Sequence, residues 1–164
     1  MDITTANGYI LTMIADGPWY LNATVASGFA AWMLAQLIKL LLYIRRTGRF
    51  DPAFLLRLGG MPSSHSATVT AVALSVGLRA GFNSTLFALA LTLAMVVMID
   101  AQTVRRAAGQ QARLLNQIVD ELFREHHFPQ QKLVELLGHT RLEVLLGMLL
   151  GVVTAFLVHG WMGG

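Results

Sequence analysis

The chain has 164 residues, of which 55% are hydrophobic and 13% charged, a balance too apolar for an ordinary soluble domain of that length and suited to one membrane domain over 1–164. Its formal net charge is +3 and it has no cysteine, so disulfides and thiolate metal sites are excluded and helix packing must hold the fold. Apolar residues gather near 21–38, 66–78, 82–99 and 144–158 with nearly all charge between them, the pattern of an all-α, polytopic membrane helical bundle with about four transmembrane helices and interfacial amphipathic segments.

The first twenty residues contain Asp2 and Asp16 and no basic residue, unlike a cleaved signal peptide. Their apolar piece, 9–15, is too short to span and is expected in the interface beside Trp19 and Tyr20. A first span over about 21–44 runs into Lys39, Arg45, Arg46 and Arg49, followed by Asp51, Pro52 and Arg57. The sequence Gly59-Gly60-Met61-Pro62-Ser63-Ser64 then breaks the chain and starts a helix, since Ser caps N-termini well and Pro suits a helix start. That places His65 in the first turn of a second span, about 64–80. Ser66, Ala67, Thr70, Ala71, Ala73, Ser75 and Gly77 make it a helix of small residues that lets neighbours approach closely in lipid, so it is expected at the centre of the bundle.

Gly81-Phe82-Asn83-Ser84 predicts a tight turn into a third span, about 83–104, which carries Asp100 and ends at Arg105 and Arg106. Over about 107–137 the composition turns polar, with Leu114, Leu115, Ile118, Val119 and Leu122 at helical spacing, as in an amphipathic helix at the membrane surface. Pro129 interrupts it, a short helical piece follows over 132–137, and Gly138-His139-Thr140 leads into a last span of about 141–160. Lys and Arg cluster after the first and third spans and before the fourth, which predicts a cytoplasmic basic end and outward termini. Cations kept for binding phosphate would produce the same bias.

Four stretches meet at that basic end: Lys39 to Arg46, Pro62 to His65, Asp100 to Arg106, and His139 to Glu143. Ionisable residues within membrane segments are costly and so are functional candidates. Each also has a plain structural reading. Lys39 could simply snorkel to the headgroups, or join Arg46 in a clamp on phosphate oxygens. Ser63 and Ser64 could only cap a helix, or with its free amides bind an anion, while His65 one turn in passes a proton to a leaving oxygen. His139 and Glu143 lie four apart, so on one helix face the carboxylate could fix the ring tautomer and leave the other nitrogen nucleophilic. Asp100 could pair with Arg105 within its own helix or orient an arginine toward substrate. His126 and His127 read as a solvated helix end, and Asp120 and Glu121 as solvated acids; a metal-assisted alternative would use Asp100, Asp120 and His126.

These residues resemble the type 2 phosphatidic acid phosphatase superfamily, which includes bacterial acid phosphatases and vanadium haloperoxidases, and specifically its short divergent membrane branch. The superfamily's first motif, Lys, six residues, Arg-Pro, is similar to Lys39 to Arg46, with Thr47 in place of the proline. Its second, Pro-Ser-Gly-His, is similar to Pro62-Ser63-Ser64-His65, with Ser64 for glycine. Its third, Ser-Arg, five residues, His, three residues, Asp, is matched only at His139 and Glu143, since position 133 is leucine. The stretch Asp100-Ala-Gln-Thr-Val-Arg-Arg-Ala-Ala-Gly109 resembles a signature of the divergent branch, and Arg105 or Arg106 is expected to replace the lost cation.

The resemblance implies a metal-independent membrane phosphatase without a cofactor, acting on a lipid or isoprenoid phosphate monoester or pyrophosphate. His139 would be the nucleophile, Glu143 its orienting partner and His65 the acid, while Lys39, Arg46, Ser63, Ser64 and Arg105 or Arg106 hold the phosphate and Asp100 supports them. A cytoplasmic site favours a phosphatidylglycerophosphate-like substrate. The expected partners are membrane lipids and a second copy of the chain, with no nucleic acid. The altered motifs keep open a non-catalytic protein that binds anionic headgroups or scaffolds a partner.

Overall fold

A computed structural model describes residues 22–51, 60–122 and 138–162. The elements in them are all helices: α1 Ala23–Thr47, α2 Ser64–Ala80, α3 Thr85–Gln102, α4 Val104–Leu122 and α5 Arg141–Met162. The expectations for 9–15, Trp19, Tyr20, Pro52, Arg57, His126, His127, Pro129 and 132–137 fall outside the described residues.

Local chemistry sets the helix ends. The Asn22 side chain accepts the Thr24 amide at 2.8 Å, and Gly48, at φ 67°, closes α1 by donating its N–H to the Ile44 carbonyl at 2.8 Å. Arg45 and Arg46 stand in that last turn, where cations complement the exposed carbonyls. Ser84 caps α3 by accepting the Phe87 amide at 3.1 Å, and its own N–H reaches back to the Gly81 carbonyl, so the expected turn at 81–84 is in place.

The bundle is small and polar inside, large and apolar outside. Ala31, Ala35, Ala67, Ala71 and Ala155 are fully buried, and the largest side chains that are fully buried with them are Thr and Ser. Phe29, Leu89, Leu93, Val96, Phe156 and Leu157 are exposed. This inversion of a water-soluble core suits a protein whose solvent is hydrocarbon, where association rests on close backbone packing. Ala23–Thr47, Thr85–Asp120 and Arg141–Met162 are each long and apolar enough to cross a membrane.

The second expected span behaves differently from these. With 17 residues, α2 is about 25 Å long at 1.5 Å per residue, short of the roughly 30 Å of a hydrocarbon core. It occupies the centre, packed most extensively on α5 and then on α1 and α3, so its ends are shielded by longer neighbours. Glycines set the closest approaches. A Cβ on Gly147 would stand 2.4 Å from the Ser63 carbonyl oxygen, and one on Gly151 2.4 Å from that of Ala67, so α5 lies directly on the α2 backbone. At the far end Ser75 Oγ donates to Thr24 Oγ1 at 3.0 Å and lies 2.8 Å from His159 Nε2, which ties α1, α2 and α5 together.

Only Thr103 separates the third and fourth helices. At Thr103 both the amide and the hydroxyl donate to the Ile99 carbonyl, at 2.9 and 2.7 Å. The expected surface helix then begins at Val104, a little earlier than its composition marks, and its Val104, Leu114, Leu115 and Ile118 are exposed.

Candidate active site

The N-terminus of α2 is built by its serines. Ser63 Oγ accepts the Ser66 amide at 3.3 Å and the Ser66 hydroxyl at 3.0 Å, and the residue is fully buried. Its acceptor capacity is therefore used by the cap, and its own hydroxyl proton is the group it could offer an anion. Ser64 faces α1, where Lys39 Nζ donates to its Oγ at 3.2 Å. Lys39 is only 3% exposed, so its ammonium is turned into the bundle and does not snorkel to the headgroups. A buried ammonium with one hydroxyl partner keeps donors for a further acceptor.

The N-terminus of α5 is a reciprocal cap. Thr140 Oγ1 accepts the Glu143 amide at 3.3 Å, and Glu143 Oε2 accepts the Thr140 amide at 3.0 Å, an arrangement that satisfies two otherwise orphaned donors. The same Glu143 Oε2 lies 2.9 Å from His139 Nδ1. A carboxylate there holds the proton on Nδ1 and leaves Nε2 with its lone pair. His139 is 6% exposed.

Backbone contacts weld these elements together. The Ser63 amide donates to the Glu143 carbonyl at 3.0 Å, joining α2 to α5, and the His139 amide donates to the Ala101 carbonyl at 3.0 Å, joining α5 to the end of α3. Gly138 makes the second contact possible, because a Cβ on it would stand 2.5 Å from the Arg106 backbone nitrogen and 2.9 Å from the Ala101 oxygen. Across the gap, the His65 and His139 ring centroids are 6.2 Å apart.

Lys39, Ser63, Ser64, His65, His139 and Glu143 are thus brought together within one chain. Arg46 is exposed on the same face of α1 as Lys39 and lines a cleft with Lys39, Leu42, Tyr43, Gly60 and Met61. The Arg106 side chain is exposed and Asp100 half-buried at the end of α3; of Arg105 only the backbone is described. What the stretch around 100–109 visibly supplies is backbone for His139, from Ala101 and against Gly138. Among the described residues no group of three His, Asp or Glu side chains is placed to hold a metal ion. The sequence reading missed Thr140, whose Thr-Arg-Leu-Glu spacing is that of a reciprocal cap. It placed Gly138 before the last span without seeing that it packs on the α3–α4 backbone, and it missed the Gly147–Gly151 pair, although glycines four apart in an apolar run are a legible sign of close helix packing.

Residues 20–154 match the family described as the divergent PAP2 family. The chain is also 40% identical over 142 residues to the uncharacterised membrane protein YuiD of Bacillus subtilis (strain 168), covering 80% of this chain and 90% of that one. No solved structure matches it.

Proposed function

The chain belongs to the divergent PAP2 family, and from that premise we propose that this membrane protein is a metal-independent lipid phosphate phosphatase working through a phosphohistidine. The observation that carries the reading is the His139–Glu143 pair at 2.9 Å facing His65 across 6.2 Å, with Lys39 on Ser64 beside them. His139 Nε2 attacks phosphorus while the ester P–O bond breaks, and protonated His65 gives its proton to the departing alcohol. His65, now neutral, takes a proton from water, whose oxygen attacks phosphorus as the N–P bond breaks; phosphate leaves and His139 is restored. Glu143 holds the Nδ1 proton throughout, and the Lys39 ammonium with the Ser64 hydroxyl neutralises charge on the phosphoryl oxygens.

The pocket lies at the basic end of the bundle, which this reading places on the cytoplasmic side, where a phosphatidylglycerophosphate-like lipid presents its monoester. A second copy of the chain is the expected partner on the exposed apolar faces. The test is phosphate release from a panel of lipid and isoprenoid phosphates by purified protein in detergent, with His139→Ala, His65→Ala and a chelator alongside. Release lost in both variants and kept in chelator supports the reading. Folded protein that releases nothing from any substrate favours a non-catalytic protein binding anionic headgroups. That second reading rests on Thr47, Ser64 and Leu133 standing where active superfamily motifs have proline, glycine and arginine.

A further inference from the structure

One face of α1 carries Lys39, Leu42, Tyr43 and Arg46, positions three, four and seven apart that stack along a helix. Gly60 and Met61 form the opposite wall, and together they enclose a cleft of about 100 Å³. Its two ends differ. At the floor is the buried Lys39, already bonded to Ser64; at the mouth is the exposed Arg46, next to the end of α1 at Thr47. Seven residues of helix separate these cations by about 10 Å, and the surface between them is an aliphatic chain, a thioether and a phenol ring. Gly60, at φ 81°, passes with its Cα side open to the Lys39 stem, where an added Cβ would meet Lys39 Cδ at 4.0 Å.

The wall residues run directly into Pro62-Ser63-Ser64, and Lys39, which lines the cleft, is also the residue bonded to Ser64, so cleft and candidate site share that side chain. Beside it on α1, Leu34, Leu37 and Leu41 are exposed toward the hydrocarbon. A water-soluble ester has no chain to seat along this surface; its approach is past the half-buried His65 and the exposed Thr140. A cation at headgroup level, an apolar slide and a second cation below match a phosphate that arrives tethered to a hydrocarbon chain.

Resting on the phosphatase reading of the adjoining pocket, we propose that the cleft between α1 and Gly60–Met61 is a lateral access path for membrane lipid phosphates. Arg46 takes the phosphate at the mouth and Lys39 receives it at the floor, while the lipid chain stays in the bilayer along the leucine face of α1. The path adds selectivity for lipid phosphates over soluble esters by giving them a route that the soluble esters do not use.

The experiment fills the cleft with Met61→Trp and, separately, Leu42→Trp, and compares kcat/KM for phosphatidic acid in mixed micelles with that for p-nitrophenyl phosphate. The expected result is a loss of about tenfold or more for the lipid, with the soluble ester changed by less than about twofold. Equal losses on both substrates, or no loss on either, in variants that melt like the parent would overturn the path. If the parent turns over neither substrate, the phosphatase reading fails by itself, and the cleft is judged by native mass spectrometry of protein incubated with phosphatidic acid. Fewer bound lipids in the folded variants than in the parent support it, and equal occupancy sinks it. Should one variant not fold, the other decides.

Discussion

Glu143 does two jobs with one oxygen. Its Oε2 closes the cap of α5 through the Thr140 amide and holds His139 Nδ1, so a deletion confuses stability with catalysis. Glu143→Gln separates them, because an amide oxygen can still accept from the Thr140 amide but cannot stabilise an imidazolium. Phosphate release should fall about 10²-fold or more, with the melting temperature in detergent nearly unchanged, whereas Glu143→Ala should lose both, the cap being worth about 1 kcal/mol. Phosphate release kept in Glu143→Gln and lost only with stability in Glu143→Ala would assign Glu143 to the cap alone. At this scale much of the site was legible: a histidine and a carboxylate four apart, and a Pro-Ser-Ser-His start, announce themselves in one dimension. The Lys39–Ser64 bond did not, since it joins residues 25 apart and a lone lysine near a span end reads equally well as a headgroup anchor.

Between elements, the pocket depends on backbone lying against backbone. Gly147 seats α5 on the Ser63 carbonyl, and the same junction carries the Ser63 amide to the Glu143 carbonyl. Gly147→Ala must push the helices apart, at about 1–3 kcal/mol, and should reduce phosphate release together with the melting temperature, because it moves His65 away from His139. Gly160→Ala is the matched control: its Cβ meets nothing within 4 Å, and replacing a helical glycine there should leave stability unchanged or raise it by about 0.5–1 kcal/mol. Parallel behaviour of the two variants in thermal melts would mean the close approach does not govern packing. The apolar helices were readable from hydropathy, with the serines at 63–64 and the turn at 81–84 marking the start of α2 and the passage to α3, while the caps at Asn22, Gly48 and Thr140 were not read. Their mutual placement was not, because a glycine in sequence does not say which carbonyl it faces. The role of residues 100–109 illustrates this: charge drew attention to Arg105 and Arg106, while the contact that holds His139 comes from the Ala101 carbonyl.

Over the whole molecule, the packing inversion, alanine and serine within and leucine and phenylalanine without, follows from hydrocarbon as the solvent; composition announced the membrane, and the run of small residues over 66–77 announced the central helix. The charge count that predicts orientation excludes Lys39, which is committed to the pocket, and rests on Arg45, Arg46 and Arg49 at the end of α1. A chain without cysteine makes the test direct. Single cysteines at Arg49 and Gly160, on opposite ends of the bundle, should differ in intact cells: the one at position 160 labels with a membrane-impermeant maleimide, and the one at 49 labels only after the membrane is opened. The reverse pattern would place the pocket on the outer side and favour an outward-facing isoprenoid substrate.

The shortness of α2 bears on how the protein is made. A 17-residue segment holding His65 and four hydroxyl residues in its first seven positions gains little from hydrocarbon and is a poor candidate for solitary insertion. Only the turn at 81–84 separates it from the far more apolar α3, so the two should leave the translocon as a hairpin. Its most extensive partner, α5, follows α3 and α4 in the chain and so reaches the membrane after the hairpin. On the proposed reading, His139 and Glu143 therefore join His65 and Lys39 only after the hairpin is in place, and a nascent chain stopped before residue 139 holds the α2 side of the pocket without its α5 side.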